Sequence, residues 1–303
     1  MAETTFISRR GITFLGAALL ASPTISRVPA AAASGSVGGT QYDTLYDLLR
    51  ASNPSGRVWT RGDELADDGA GVTYSVESSR PSGRLGNVSM RLANGTWAVP
   101  QSFSTQPARS ASTTAADDLV SRGQSFVDAG TRLGWDGNGL TPLTGQVVHQ
   151  VASEPHAVSC STFVGMAVLG WDYHHTTYVA DQNTKVGYYV DFGDGFETSR
   201  AWSANNLASW FYARGDVWLD SDDHYERGDI MFFSDPDRNA ATGGGVGART
   251  TFGNVYHAAI YLGEGMLMHS TGVAAGQGVH VSKMWNFLKE DLSFVARPAW
   301  SRL

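Results

Sequence analysis

The chain has 303 residues, of which 42% are hydrophobic, 17% charged and 11% aromatic; this excludes a disordered tail and suits one large or two smaller folded domains. No apolar run reaches the roughly 18 residues that a membrane span needs. Its 22 basic and 29 acidic side chains, net −7, argue against a nucleic-acid surface or a polybasic membrane patch.

The first segment runs from Ser8, Arg9 and Arg10 through an apolar block, Gly11 to Ala21, to Pro29 and four alanines. It resembles a twin-arginine export signal covering residues 1–33. Its removal takes away three Arg and one Glu, leaving 19 basic and 28 acidic side chains, a net −9. A lone cysteine, Cys160, rules out an intramolecular disulfide. Export in the folded state, which the resemblance implies, suits a chain that does not depend on oxidation outside the cell.

Residues 34–105 read as a small β-rich module. A flexible SGSVGG joint precedes a short helix carrying Leu45, Leu48 and Leu49. The segments GVTYSVE, GNVSMRLANG and TWAVPQS are short, alternating in polarity and broken by Gly, Asn and Pro, as strands of a small antiparallel sheet are. Residues 106–114, rich in Ser, Thr and Ala, read as a linker.

The second domain is expected over 115–303. Thr114 caps a helix with Asp117 and Asp118 in its first turn; Leu119, Val120, Phe126, Val127 and Leu133 recur at helical spacing until Gly134. SCSTFVGMAVLGW predicts a second helix capped by Ser159, and SANNLASWFYARG a third, between Ser203 and Gly215. GDIMFF, HAAIYLG, MLMHSTG, GVHVS and LSFVARP then follow a period of two and predict five strands. Helices followed by an antiparallel sheet make an α+β domain.

Cys160 opens a predicted helix, where the positive end of the dipole lowers a thiol pKa and favours the nucleophilic thiolate. A nucleophile needs a base. If GEG forms a three-residue hairpin loop, Leu262 pairs with Met266, His257 opposes Thr271 and His269 opposes Ala259. Both imidazoles then share one sheet face as diagonal neighbours. A loop one residue shorter or longer separates them.

The blocks VSCSTFVGMAVLGW, ERGDIMFFSD and YHAAIYLGEGMLMHSTG, in this order, resemble the NlpC/P60 family of bacterial cell-wall cysteine peptidases over about residues 115–303. The resemblance implies a papain-like α+β fold, helices on an antiparallel sheet, that cleaves amide bonds in peptidoglycan stem peptides. It implies Cys160 as nucleophile, His257 as base and His269 as the residue orienting His257. Ser159 and Ser161, flanking the nucleophile, are candidate substrate-binding positions. The chain departs from the family where Ser159-Cys160-Ser161-Thr162 stands in place of Asp-Cys-Ser-Gly, which puts the usual recognition of a substrate amine in doubt.

A long aromatic-rich insert, 171–202, separates the cysteine helix from the GDIMFF strand. His174-His175 lacks an HExxH context, DFGDGFE lacks Ca²⁺-loop spacing and TGGGVG lacks the Lys of a phosphate loop, so no metal or organic cofactor is implied. The expected partner is a peptidoglycan peptide or another cell-surface substrate, met in the cell wall or outside the cell. Two rivals remain open: an amidase of the CHAP type cutting the sugar–peptide link, and a non-catalytic surface-binding protein on the same scaffold. The oligomeric state is not legible in the sequence.

Overall fold

The computed structural model describes residues 39–130, 133–135, 156–168, 170, 172–173, 204–237, 252–272 and 278–297. The export segment 1–33, the paired His174-His175, the acidic turn 191–197, the TGGGVG stretch, the Ser203 cap and nearly all of the 171–202 insert lie outside them.

The first described elements are strand β1 (Thr40–Thr44) and helix α1 (Leu45–Arg50), joined by a capping box: Thr44 Oγ1 accepts the Asp47 N–H while Asp47 accepts the Thr44 N–H. Strands β2 (Arg57–Gly62) and β3 (Thr73–Glu77) follow, then helix α2 (Gly83–Val88), β4 (Met90–Arg91) and β5 (Trp97–Pro100). They form a sheet in the order β1-β2-β3-β5-β4, parallel only between β1 and β2. GNVSMRLANG is therefore corrected. Its first three residues belong to α2, which buries Gly86 and Val88, and two residues of strand remain.

Residues 101–112 take no regular secondary structure, yet they are fastened down. Arg109 pairs with buried Asp216 and donates to the Arg297 carbonyl, and Arg297 Nη1 donates back to the Arg109 carbonyl at 3.0 Å. Helix α3 (Thr113–Asp128) is capped by Ser112, not Thr114, and Asp117 and Asp118 stand beyond its first turn. It ends before Gly130, whose φ of 56° breaks the helix, so Leu133 belongs to strand β6 (Leu133–Trp135). Strand β7 (His156–Val158) pairs in parallel with β6 and leads into helix α4 (Cys160–Val168). Helix α5 (Ala204–Ala213) is closed by Gly215 at φ 73°.

All five predicted strands of the second half form: β9 (Ile230–Ser234), β10 (Val255–Gly263), β11 (Met266–Ser270), β12 (Val279–Lys283) and β13 (Leu292–Ala296). With β8 (Val217–Leu219) they make an antiparallel sheet in the order β12-β11-β10-β9-β13-β8. Ala258, Ile260, Met268, Phe232 and Phe294 pack on one face with Leu119 and Phe126 of α3, Phe163 and Val164 of α4 and Leu207 and Phe211 of α5. Ala259, Tyr261, Leu267, Met231, Phe233 and Val295 pack on the other with Leu288 of helix α6 (Asn286–Asp291). Central strands covered on both faces explain the nearly unbroken apolar runs of GDIMFF and HAAIYL.

The architecture is the expected α+β class, helices on an antiparallel sheet behind a smaller β-rich part. The described residues make one compact unit, and Leu45, Val58, Tyr74 and Val88 of the first sheet join the same buried cluster as the helices of the second. Asn254 Nδ2 reinforces the junction by donating to the carbonyls of Asn87 and Ser89.

Candidate active site

The cysteine helix is built to start where it does. The Ser159 N–H donates to Thr162 Oγ1 at 2.9 Å and the Thr162 N–H donates back to Ser159 Oγ at 3.2 Å. Two otherwise orphaned donors are thus satisfied reciprocally. Thr162, a departure from the family pattern, is half of this box. The hydroxyls of Ser159 and Ser161 lie 3.1 Å apart and both residues are buried; Ser159 is the other half of the box. All eight residues of α4 after Cys160 are buried, and Arg122 Nε donates to the Ala167 carbonyl at the far end. Cys160 itself is half-buried.

Two further contacts set this helix against the sheet. Ser270 Oγ, one residue after His269, donates to the Val158 carbonyl at 2.8 Å and so pins the strand that feeds Cys160. The Cys160 sulfur lies against the backbone of Ala258, the residue after His257, and the amides of Ala258, Ser161 and Cys160 favour its thiolate. Burial is nevertheless the larger influence and pushes the thiol up from its ordinary value. This overturns the expectation of a depressed pKa. A helix dipole is visible in the sequence, whereas desolvation depends on what the folded chain stacks around the sulfur.

The hairpin forms in the expected register: Ile260 opposes Met268 and Tyr261 opposes Leu267. At the tip Gly263, not Leu262, opposes Met266, because a bulge absorbs one residue; Glu264 and Gly265 turn the chain with φ of 51° and 72°. The register brings the imidazoles together, with His257 Nε2 2.9 Å from His269 Nδ1. His269 is fully buried, and its other nitrogen, Nε2, lies 2.9 Å from Ser282 Oγ on β12. His280 of β12 opposes His269 across the ladder, and the Trp285 ring packs 5.5 Å away. Burial first, then the neighbouring His257 and His280, drives the His269 pKa down to about 2, so the ring is neutral at physiological pH.

Sequence reasoning missed Thr162, Ser282 and Trp135. A Ser-x-x-Thr pattern ahead of an apolar run was a legible signal for the first. Nothing in VHVSK marks Ser282. Trp135 is 45% exposed although its ring lies on Gly272, where a Cβ would come within 2.5 Å of it. Such close approach needs the bare face of glycine. Among the described residues no cluster of three or more His, Cys, Asp or Glu side chains could hold a metal ion, and no helix is long and apolar enough to cross a membrane.

Fold and site define an α+β protein whose lone cysteine heads a buried helix and lies against the first strand of a hairpin whose two strands carry a hydrogen-bonded histidine pair. No protein-family profile matches the sequence, and no curated protein matches it. Solved structures do. The peptidoglycan hydrolase RipB from Mycobacterium tuberculosis is 14% identical, with 61% of this chain and 64% of that chain aligned at a TM-score of 0.30. The P60 domain of an antigen from M. avium subspecies paratuberculosis is 14% identical, with 61% and 94% aligned at 0.30. An NlpC/P60 family protein from Bacillus cereus is 17% identical, with 74% and 53% aligned at 0.28. This chain thus spans less than two thirds of RipB and about half of the B. cereus protein. Likeness at these scores does not identify a protein.

Proposed function

We propose that the protein is an exported cysteine hydrolase that cleaves amide bonds in peptidoglycan stem peptides. The observation that carries this reading is the placement of the Cys160 sulfur, at the head of a buried helix, against the backbone next to His257, whose ring is held by His269. The three sequence blocks supply the substrate class.

In this reading Cys160 rests as a neutral thiol, since burial raises its pKa. Its proton passes to His257 as the sulfur attacks the amide carbonyl carbon, and the oxyanion is met by backbone N–H groups at the start of α4. His257 then protonates the leaving amine as the C–N bond breaks. A water, deprotonated by the same imidazole, hydrolyses the thioester and regenerates the thiol. His269 keeps the His257 ring in place throughout. Ser159 and Thr162 act through the helix start they hold, Ser161 stands beside the nucleophile as a candidate substrate contact, and the exposed indole of Trp135 offers an apolar platform near the strand leading to Cys160. The catalytic unit would span 115–303, with residues 34–105 as a β-rich module.

Digestion of purified sacculi followed by mass spectrometry tests the reading. New free amines within stem peptides are expected with the parent protein and none with Cys160→Ser. Release of peptide from the lactyl group would favour the amidase instead, and unchanged sacculi would leave the surface-binding reading. The export route has its own test: replacing Arg9 and Arg10 by Lys should retain an uncleaved precursor in the cell, and normal secretion of that double variant would reject it.

A further inference from the structure

We propose that Ser282 is a positioning residue that sets the tautomer of both histidines and so leaves the basic nitrogen of His257 directed away from His269 and available to the thiol. The proposal rests on the hydrolase reading for its catalytic consequence, but its geometry stands on its own. Ser282 is half-buried on the edge strand β12, opposite Leu267, and therefore diagonal to His269.

The argument follows the protons from the fixed end of the chain of contacts. Ser282 Oγ lies 3.1 Å from the Lys283 carbonyl oxygen. A carbonyl only accepts, so both contacts of the Ser282 oxygen are hydrogen bonds at once only when its proton goes to the carbonyl and a lone pair faces His269. His269 Nε2, 2.9 Å from that oxygen, must then carry hydrogen. Because this ring is neutral, its Nδ1 has no hydrogen and accepts. The group facing Nδ1 at 2.9 Å is His257 Nε2, which must donate. A neutral His257 with hydrogen on Nε2 has its lone pair on Nδ1, which in the hydrolase reading is the nitrogen that takes the proton of Cys160.

Reversing the chain places hydrogen on His257 Nδ1 and blocks the base. The reversal also strips the Lys283 carbonyl of the Ser282 proton, so the single hydroxyl selects one of two otherwise symmetric arrangements. The hydrogen-bond partner of His269 Nε2 is Ser282 Oγ and not His280, whose Nδ1 donates to the Gly278 carbonyl at 3.2 Å. Trp285 offers an indole N–H, a donor only, and could not accept from His269 Nε2.

The test is two-bond ¹H–¹⁵N correlation spectroscopy of histidine-labelled protein at neutral pH, with kinetics on sacculus fragments in parallel, for the parent, Ser282→Ala and Ser282→Thr. The parent should show hydrogen on Nε2 of both His257 and His269. Ser282→Ala should give mixed tautomers at both rings and lower kcat about tenfold, the worth of one lost hydrogen bond, with KM within about twofold. Ser282→Thr, which keeps the hydroxyl, should restore both readouts. Hydrogen on Nδ1 of either ring in the parent, or unchanged tautomers in Ser282→Ala, overturns the proposal. If the tautomers respond as expected while the parent cleaves nothing, the relay stands and the hydrolase reading falls.

Discussion

His269→Gln should abolish one particular dependence of stability on pH. In the folded chain His269 is fully buried, and burial together with His257 and His280 holds its pKa at about 2. The unfolded chain returns it to about 6.5. Between these values the unfolded state binds a proton that the folded state refuses, so the stabilisation is complete above about pH 6.5 and is lost as the pH falls below it. Each unit costs about 1.4 kcal/mol once the unfolded ring is fully protonated, so from the plateau above about pH 7 down to pH 4.5 the parent should lose about 2.7 kcal/mol through this residue alone. Glutamine does not ionise and offers His257 a comparable acceptor. Urea unfolding of both proteins at half-unit steps from pH 7.5 to 4.5 isolates the effect, because carboxylate titrations common to both cancel in the difference. The difference in unfolding free energy should be flat above about pH 7 and shift by about 2.7 kcal/mol in favour of the variant by pH 4.5. Parallel curves across the whole range would refute the reasoning, since a buried ring that accepts its proton without penalty is not held neutral by its surroundings.

Alkylation of Cys160 by iodoacetamide should be slower than that of a free thiol at pH 7 and still rising at pH 9, because burial raises the pKa; a midpoint below pH 7 would instead establish a thiolate–imidazolium pair. His257→Ala should remove nearly all hydrolysis of stem peptides, whereas His269→Asn and His269→Gln should retain part of it, and equal loss in all three folded variants would contradict their separate roles. Arg297 and Asp229, both buried, are joined by two hydrogen bonds of 2.8 and 2.7 Å. Arg297→Met should therefore cost about 3–5 kcal/mol by stranding the carboxylate, and Asp229→Leu added to it should restore much of the loss; denaturant titration checks both, and a cost under about 1 kcal/mol for the single change would show that Asp229 finds another partner or protonates without penalty.

Where the sequence alone was sufficient, the determining interactions lie between near neighbours. The Ser159 cap, the end of α5 at Gly215 and the pairing of Tyr261 with Leu267 all follow from residues a few positions apart, and a three-residue turn dictates which side chains share a face. That locality is why His257 and His269 were legible as a pair. Helical spacing misled once, since Leu133 continues the periodicity of α3 after Gly130 has already broken the backbone. Strand β8 and the parallel pairing of β1 with β2 were not legible, because a three-residue strand carries little pattern and parallel partners meet through distant sequence. The same division runs through the site. A cysteine at a helix start, with a dipole that lowers its pKa, can be read from residue order. The burial that raises the pKa instead, the neutrality of His269 and the arrival of Ser282 beside it cannot, because desolvation and cross-strand contact come from segments that only the folded chain brings together.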